Sequence, residues 1–190
     1  MKTISRKDFF KKGCFAGICM CGFSSIAMAD NIGNSDQTEE TLDSNQIFIQ
    51  TWISNLLSNI NQELDNDAKR NILKGCSIVH YENLKMNDVL SPYIGNIEGF
   101  IGFLEKEWGW KVDYNKATKT LIANENKNYC VCPMINNKDS INKSAICYCS
   151  EGFAEKMFSV VAGVSATASV ISSVQRGDER CIYKIEFNNL

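Results

Sequence analysis

One histidine, His80, serves a chain of 190 residues, so imidazole-dependent chemistry has a single place to happen. No apolar stretch suits a membrane-spanning helix, which needs about 20 residues. The longest mildly apolar run, Gly13 to Met28, is too short and too rich in Gly and Ser. A positive surplus is missing too, since the formal net charge is −2. There is no internal repeat. These absences exclude a nucleic-acid partner and a stable span, because neither a phosphate backbone nor an anionic membrane would be attracted.

The N-terminus has the layout of an export signal. Lys2, Arg6, Lys7, Lys11 and Lys12 precede the apolar run, and Ala27-Met28-Ala29 puts small residues where a signal peptidase reads. Residues 1–29 are therefore expected to be a cleaved leader. Ser5-Arg6-Lys7-Asp8-Phe9-Phe10-Lys11 resembles a twin-arginine signal with Lys as the second basic residue. The expected location is periplasmic or otherwise outside the cytoplasm. Losing five basic residues and one Asp from 20 and 22 leaves a net charge of about −6. Residues 30–45, polar, acidic and without an aromatic, read as a disordered linker. Residues 46–190 suit one domain, large enough to bury about 70% of its extended surface.

Apolar spacing predicts a helix from Ile49 through Trp52, Ile53, Leu56, Leu57, Ile60 and Leu64. A second helix starts near Asn66 and carries Ala68, Ile72, Cys76 and Val79 on one side. Residues 82–96 read as a loop. Asn96 caps a third helix with Ile97, Phe100, Ile101, Leu104 and Trp108 at helical intervals. Period two over Trp108–Tyr114, a turn at 115–119 and a return over Thr120–Ala123 make a hairpin. Tyr129–Pro133 reads as a short strand, and Asn136–Ser144 as a polar loop leading to Ala145–Cys149. Ser150 would cap a helix over Glu151–Ala162. Val164–Val174 reads as strand, 175–179 as turn, and Cys181, Tyr183, Ile185 and Phe187 alternate as the closing strand. The class is α+β, with helices first and then a mostly antiparallel sheet with one inserted helix.

Nine cysteines are the chemistry on offer, and six lie beyond the leader: Cys76, Cys130, Cys132, Cys147, Cys149 and Cys181. Read as strands, each Cys-x-Cys pair presents both sulfurs to one side. Two such pairs side by side would gather four thiolates, with Cys181 as a fifth candidate. That is a zinc site's donor set, and iron–sulfur clusters use the same ligands. The rival is oxidation, for an even count in an exported protein also fits a disulfide-stapled envelope protein. Cys76 and His80, four apart on a helix, could serve as nucleophile and base of a small amide or thiazoline hydrolase. Phe100, Trp108, Trp110 and Tyr114 could line an apolar pocket.

The tail, from Cys149-Ser-Glu-Gly152-Phe153 to Gly177-Asp178-Glu179-Arg180-Cys181-Ile182-Tyr183, resembles the end of a 4-vinyl-reductase-type domain. It is also similar to uncharacterised bacterial relatives of aminothiazoline-carboxylate hydrolases. The resemblance covers residues 108–187. It implies a small apolar ligand beside a zinc whose outer ligands would be Cys149 and Cys181. Val170 and Ser173 stand where that family has its middle two ligands, so Cys130, Cys132 and Cys147 would replace them. Together these readings lead to an exported small-molecule-binding protein with a cysteine-held zinc. Oligomeric state is not legible.

Overall fold

Secondary structure is described here for residues 44–135 and 141–188 of a computed structural model. The leader, nearly all of the linker and residues 136–140 of the polar loop lie outside them. The chain divides into two compact units.

The first contains residues 44–54, the beginning of helix α1 (Ser44–Glu63), and residues 131–135. Buried Gln50 donates from Nε2 to the Pro133 carbonyl at 3.0 Å. Ile135 is buried, whereas Phe48 and Trp52 are exposed. The strand expected over Tyr129–Pro133 does not form. Pro133 has no N–H for a ladder, and its carbonyl is taken by a side chain.

The second unit holds residues 55–130 and 141–188. Helix α2 (Asn66–Asn83) begins where the sequence placed it, with Asp65 Oδ1 accepting from the Ala68 N–H at 2.8 Å. Its face is the reverse of the expected one. Ile72 and Val79 are exposed at 50% and 69%, while Leu73, Ser77 and Tyr81 are buried. The cause is Gly152 on the partner helix α5 (Cys147–Ala162). A Cβ there would stand 2.6 Å from the Lys74 carbonyl oxygen and 2.7 Å from Ser77 Oγ. The two backbones approach too closely for a seam of large side chains. Short helix α3 (Met86–Leu90) and a 3₁₀ turn, Ser91–Tyr93, occupy the expected loop, with Met86 and Leu90 fully buried. Helix α4 (Ile97–Phe103) is capped by Asn96, passes into a π turn at Leu104–Trp108, and ends at Gly109, whose φ of 73° suits a residue without Cβ.

Strands β1 (Lys111–Asn115), β2 (Thr120–Asn124), β3 (Ala166–Ser172) and β4 (Ile182–Phe187) form one antiparallel sheet in the order β1-β2-β4-β3. The α+β class and the inserted helix α5 are as expected. One sheet face is covered, with Leu121, Ala123, Ala168, Tyr183 and Ile185 in a core shared with Phe100, Leu104, Met157, Phe158 and Val161. Each fully buried large side chain contributes about 1.5–3 kcal/mol.

Strand β3 is an edge, and α5 occupies its outward N–H groups. Ala166 N–H donates to Ser159 Oγ at 2.9 Å, Ala168 N–H to Glu155 Oε1 at 3.0 Å and Val170 N–H to Glu151 Oε1 at 2.9 Å. Positions four apart on a helix thus meet positions two apart on a strand, because the rises are similar. Glu151, fully buried, also accepts from Arg70 Nε at 2.8 Å, and Glu155 accepts from Lys74 Nζ at 2.6 Å. A three-element brace therefore sets α5 against both α2 and the sheet.

Candidate functional site

That brace fixes where the first turn of α5 points. Cys147 opens the helix, is buried, and donates from Sγ to Ser173 Oγ at 3.2 Å. Ser173 follows the last residue of β3 and is held by its own N–H bond to Asp178 Oδ2 at 2.8 Å. Cys181 immediately precedes β4. The ladder continues one step past the strands, Glu125 N–H donating to the Cys181 carbonyl at 3.1 Å. Glu125 is thereby paired with Cys181, and Tyr183 lies two residues along β4 on the same buried face. Its hydroxyl donates to Glu125 Oε1 at 2.8 Å. Cys130 completes the group, within electrostatic reach of both Cys147 and Cys181.

Four stretches of chain thus meet at one end of the sheet, bringing three thiols, a carboxyl and a phenol together. Burial pushes the Cys181 thiol up to about 12, and the nearby Glu125 and Cys147 push the same way. Cys147 is raised by burial, against the opposing pull of the Ser173 bond and the Arg176 guanidinium. Burial raises Glu125 as well, partly offset by the Tyr183 hydroxyl. Tyr183 is held far above its usual value by burial and by Glu125. Thiols kept protonated in this way are poor nucleophiles, because attack needs the thiolate. A thiol of this kind binds a metal only when the cation displaces its proton. Among the described residues, no three His, Cys, Asp or Glu side chains already stand in coordinating positions. The donor set suits zinc, but its arrangement is not that of a coordinated ion.

The strand reading of Cys147 and Cys149 is corrected: both lie in the first turn of α5. Two residues on a helix are separated by about 200°, so the pair cannot present both sulfurs to one side. Cys149 instead senses Cys76 on α2 ahead of Cys147, and burial lifts its thiol to about 11. Cys147 takes the place beside Cys181 that the family resemblance gave to Cys149. Ser173, where the resemblance expected a ligand position, lies just past β3 and accepts the Cys147 thiol. Cys132 belongs to the first unit.

Cys76 is exposed and its Sγ turns back to the Ile72 carbonyl at 3.5 Å. His80 packs on Phe153, ring centroids 5.1 Å apart, and burial lowers its pKa, which keeps it neutral. Among the described residues, no hydrogen bond joins the two. Phe100 is fully buried against Tyr93, Phe103 and Phe158. Trp108, Trp110 and Tyr114 are half-buried, Trp110 lying near-parallel to Tyr183 at 6.3 Å and Tyr114 edge-on to Phe187. These rings fill the core on the covered face of the sheet.

Sequence reasoning missed Glu125 and Tyr183 as neighbours of the thiols. Glu125 follows a strand and belongs to no motif. Only the β2–β4 register, which a lone sequence does not fix, pairs it with Cys181.

Residues 20–190 match the model of a family of unknown function, DUF6144. No curated protein matches the chain. Among solved structures, it is similar to a trafficking protein particle complex subunit 3 from Naegleria fowleri covalently bound to palmitic acid. The identity is 10% and the TM-score 0.49, over 76% of this chain and 96% of that one.

Proposed function

For a chain that belongs to the DUF6144 family, we propose a binding role without turnover, centred on the thiol group at the end of the sheet. Cys130, Cys147 and Cys181, with Glu125 as the oxygen donor, would hold a thiophilic divalent cation, zinc by preference. Zinc takes sulfur at about 2.3 Å and carboxylate oxygen at about 2.0–2.2 Å. Bound there it would brace the sheet end, joining α5 to β2 and β4. The observation that carries the reading is the convergence of three thiols and a carboxyl at one end of the sheet, with burial raising Glu125, Cys147 and Cys181 alike.

A small apolar molecule as ligand is the second part of the proposal, and it rests on the resemblance to 4-vinyl-reductase-type domains. Export is the third, resting on the leader-like N-terminus. Mass spectrometry of the protein from its native cells tests it, with a mature chain starting at Asp30 as the expected product. A hydrolase acting through Cys76 and His80 is disfavoured, because the neutral histidine faces Phe153 and makes no bond to the thiol.

Elemental analysis of the full chain, with a thiol count, tests the metal. The expected result is one zinc per chain, lost when Cys130, Cys147 or Cys181 is changed to Ser and kept in Cys132→Ser and Cys149→Ser. A chain that takes up no zinc under reducing conditions, or loses it equally in all five variants, overturns the proposal.

A further inference from the structure

The second unit also contains an open cleft of about 250 Å³, reached from the end of α1, the first turns of α2 and α5, and the turn after β3. Its lining is unusual in charge. Lys69 and Arg176 supply two cations, Asn61, Asn66 and Asn142 three carboxamides, and Ser144 a hydroxyl. Among the described residues, none of the lining side chains is a carboxylate; Asp65 and Asp67 share the same turn of α2 without lining it.

Donors exceed acceptors here. Lys69 Nζ spends one N–H on the Asn61 carbonyl at 3.0 Å, which leaves two. Arg176 Nη1 donates to the Val170 carbonyl at 3.2 Å, leaving four further N–H groups on its guanidinium. Asn142 Oδ1 already receives Ser144 Oγ at 2.9 Å, Ser144 N at 3.2 Å and Asn61 Nδ2 at 3.3 Å. Its amide nitrogen remains as a donor. Tyr148 forms one wall, with the Arg176 guanidinium 5.3 Å and that of Arg70 4.8 Å from its ring centroid. Such cation–π contact steadies a long side chain that would otherwise wave in solvent.

We propose that this cleft binds a small hydroxylated oxyanion of the sugar-acid or sugar-phosphate class. The two cations would meet the carboxylate or phosphate, and the carboxamides and Ser144 would read hydroxyls. The volume corresponds to about eight waters of bulk liquid, which suits a molecule the size of a monosaccharide rather than a drug-sized ligand. None of the proposed metal ligands lines this cleft, although Arg176 lies within electrostatic reach of Cys147.

Calorimetric titration of the full chain tests it with four probes: gluconate, glucose 6-phosphate, inorganic phosphate and glucose. The expected result is saturable binding of gluconate or glucose 6-phosphate, with glucose and inorganic phosphate at least tenfold weaker. Arg176→Gln and Lys69→Gln should each weaken it about tenfold, equivalent to about 1.4 kcal/mol, with the melting temperature retained. Gluconate serves as the carboxylate arm and glucose 6-phosphate as the phosphate arm, and either one binding supports the class. The proposal falls if neither binds, if glucose or inorganic phosphate binds as tightly, or if both stably folded variants keep the parent affinity.

Discussion

Replacing Glu151 by Ala should destabilise the protein by about 1–4 kcal/mol. The side chain is fully buried and accepts from the Val170 N–H at 2.9 Å and from Arg70 Nε at 2.8 Å. Orphaning a buried backbone N–H costs about 1–3 kcal/mol. Arg70 is 39% exposed and can rehydrate, so its lost ion pair adds no more than about 1 kcal/mol. Lys74 retains Glu155 and is not stranded. For a chain of this size about 3 kcal/mol lowers the melting temperature by about 6–12 °C. Glu151→Gln keeps an acceptor for Val170 and loses only the charge, so its cost should be about 1 kcal/mol. Circular dichroism of thermal and urea unfolding reads both. If Glu151→Ala falls within about 0.5 kcal/mol of the parent, or Gln is as damaging as Ala, the brace is not what holds α5 on the β3 edge.

Gly152→Ala should cost about 1–3 kcal/mol by urea unfolding, since the new methyl meets the Lys74 backbone at 2.6 Å and backbone cannot turn aside. Alkylation with iodoacetamide at neutral pH, followed by peptide mapping, should label exposed Cys76 well before buried Cys147 and Cys181; equal rates would contradict the burial. Stability should fall as pH rises from about 9 towards 12. In that window Cys149, raised to about 11, and Cys181, raised to about 12, stay protonated when folded but ionise when unfolded. The unfolded chain then binds fewer protons, so each thiol contributes a loss of up to about 1.4 kcal/mol per pH unit. Cys181→Ser, which cannot titrate there, should flatten the slope of urea stability against pH.

The hairpin, the closing strand and the starts of α2 and α4 were legible because period, caps and turn residues act locally. Asp65 and Asn96 cap the helices that follow them, and Tyr183, Ile185 and Phe187 alternate inward as their spacing required. Helix α3 was missed because five residues are too few for a periodic signal, although Met86 and Leu90 are both buried. The buried face of α2 misled for a different reason. Its contact with α5 is built from Gly152, Ser77 and ion pairs, whereas hydropathy draws attention to Ile72 and Val79. For the site, Cys130, Cys147 and Cys181 could be named from the sequence. That Cys147 and Cys149 part company depends on α5 starting three residues before Ser150, at a boundary with no side-chain cap for a sequence to announce.

X-ray absorption at the zinc edge, on the full chain loaded under reducing conditions, tests the central claim most directly. The account predicts a first shell of three sulfurs at about 2.3 Å and one lighter atom near 2.0–2.2 Å. It also predicts that this shell is unchanged in Cys149→Ser. A shell of four sulfurs that loses one in Cys149→Ser, or no bound zinc, would contradict it.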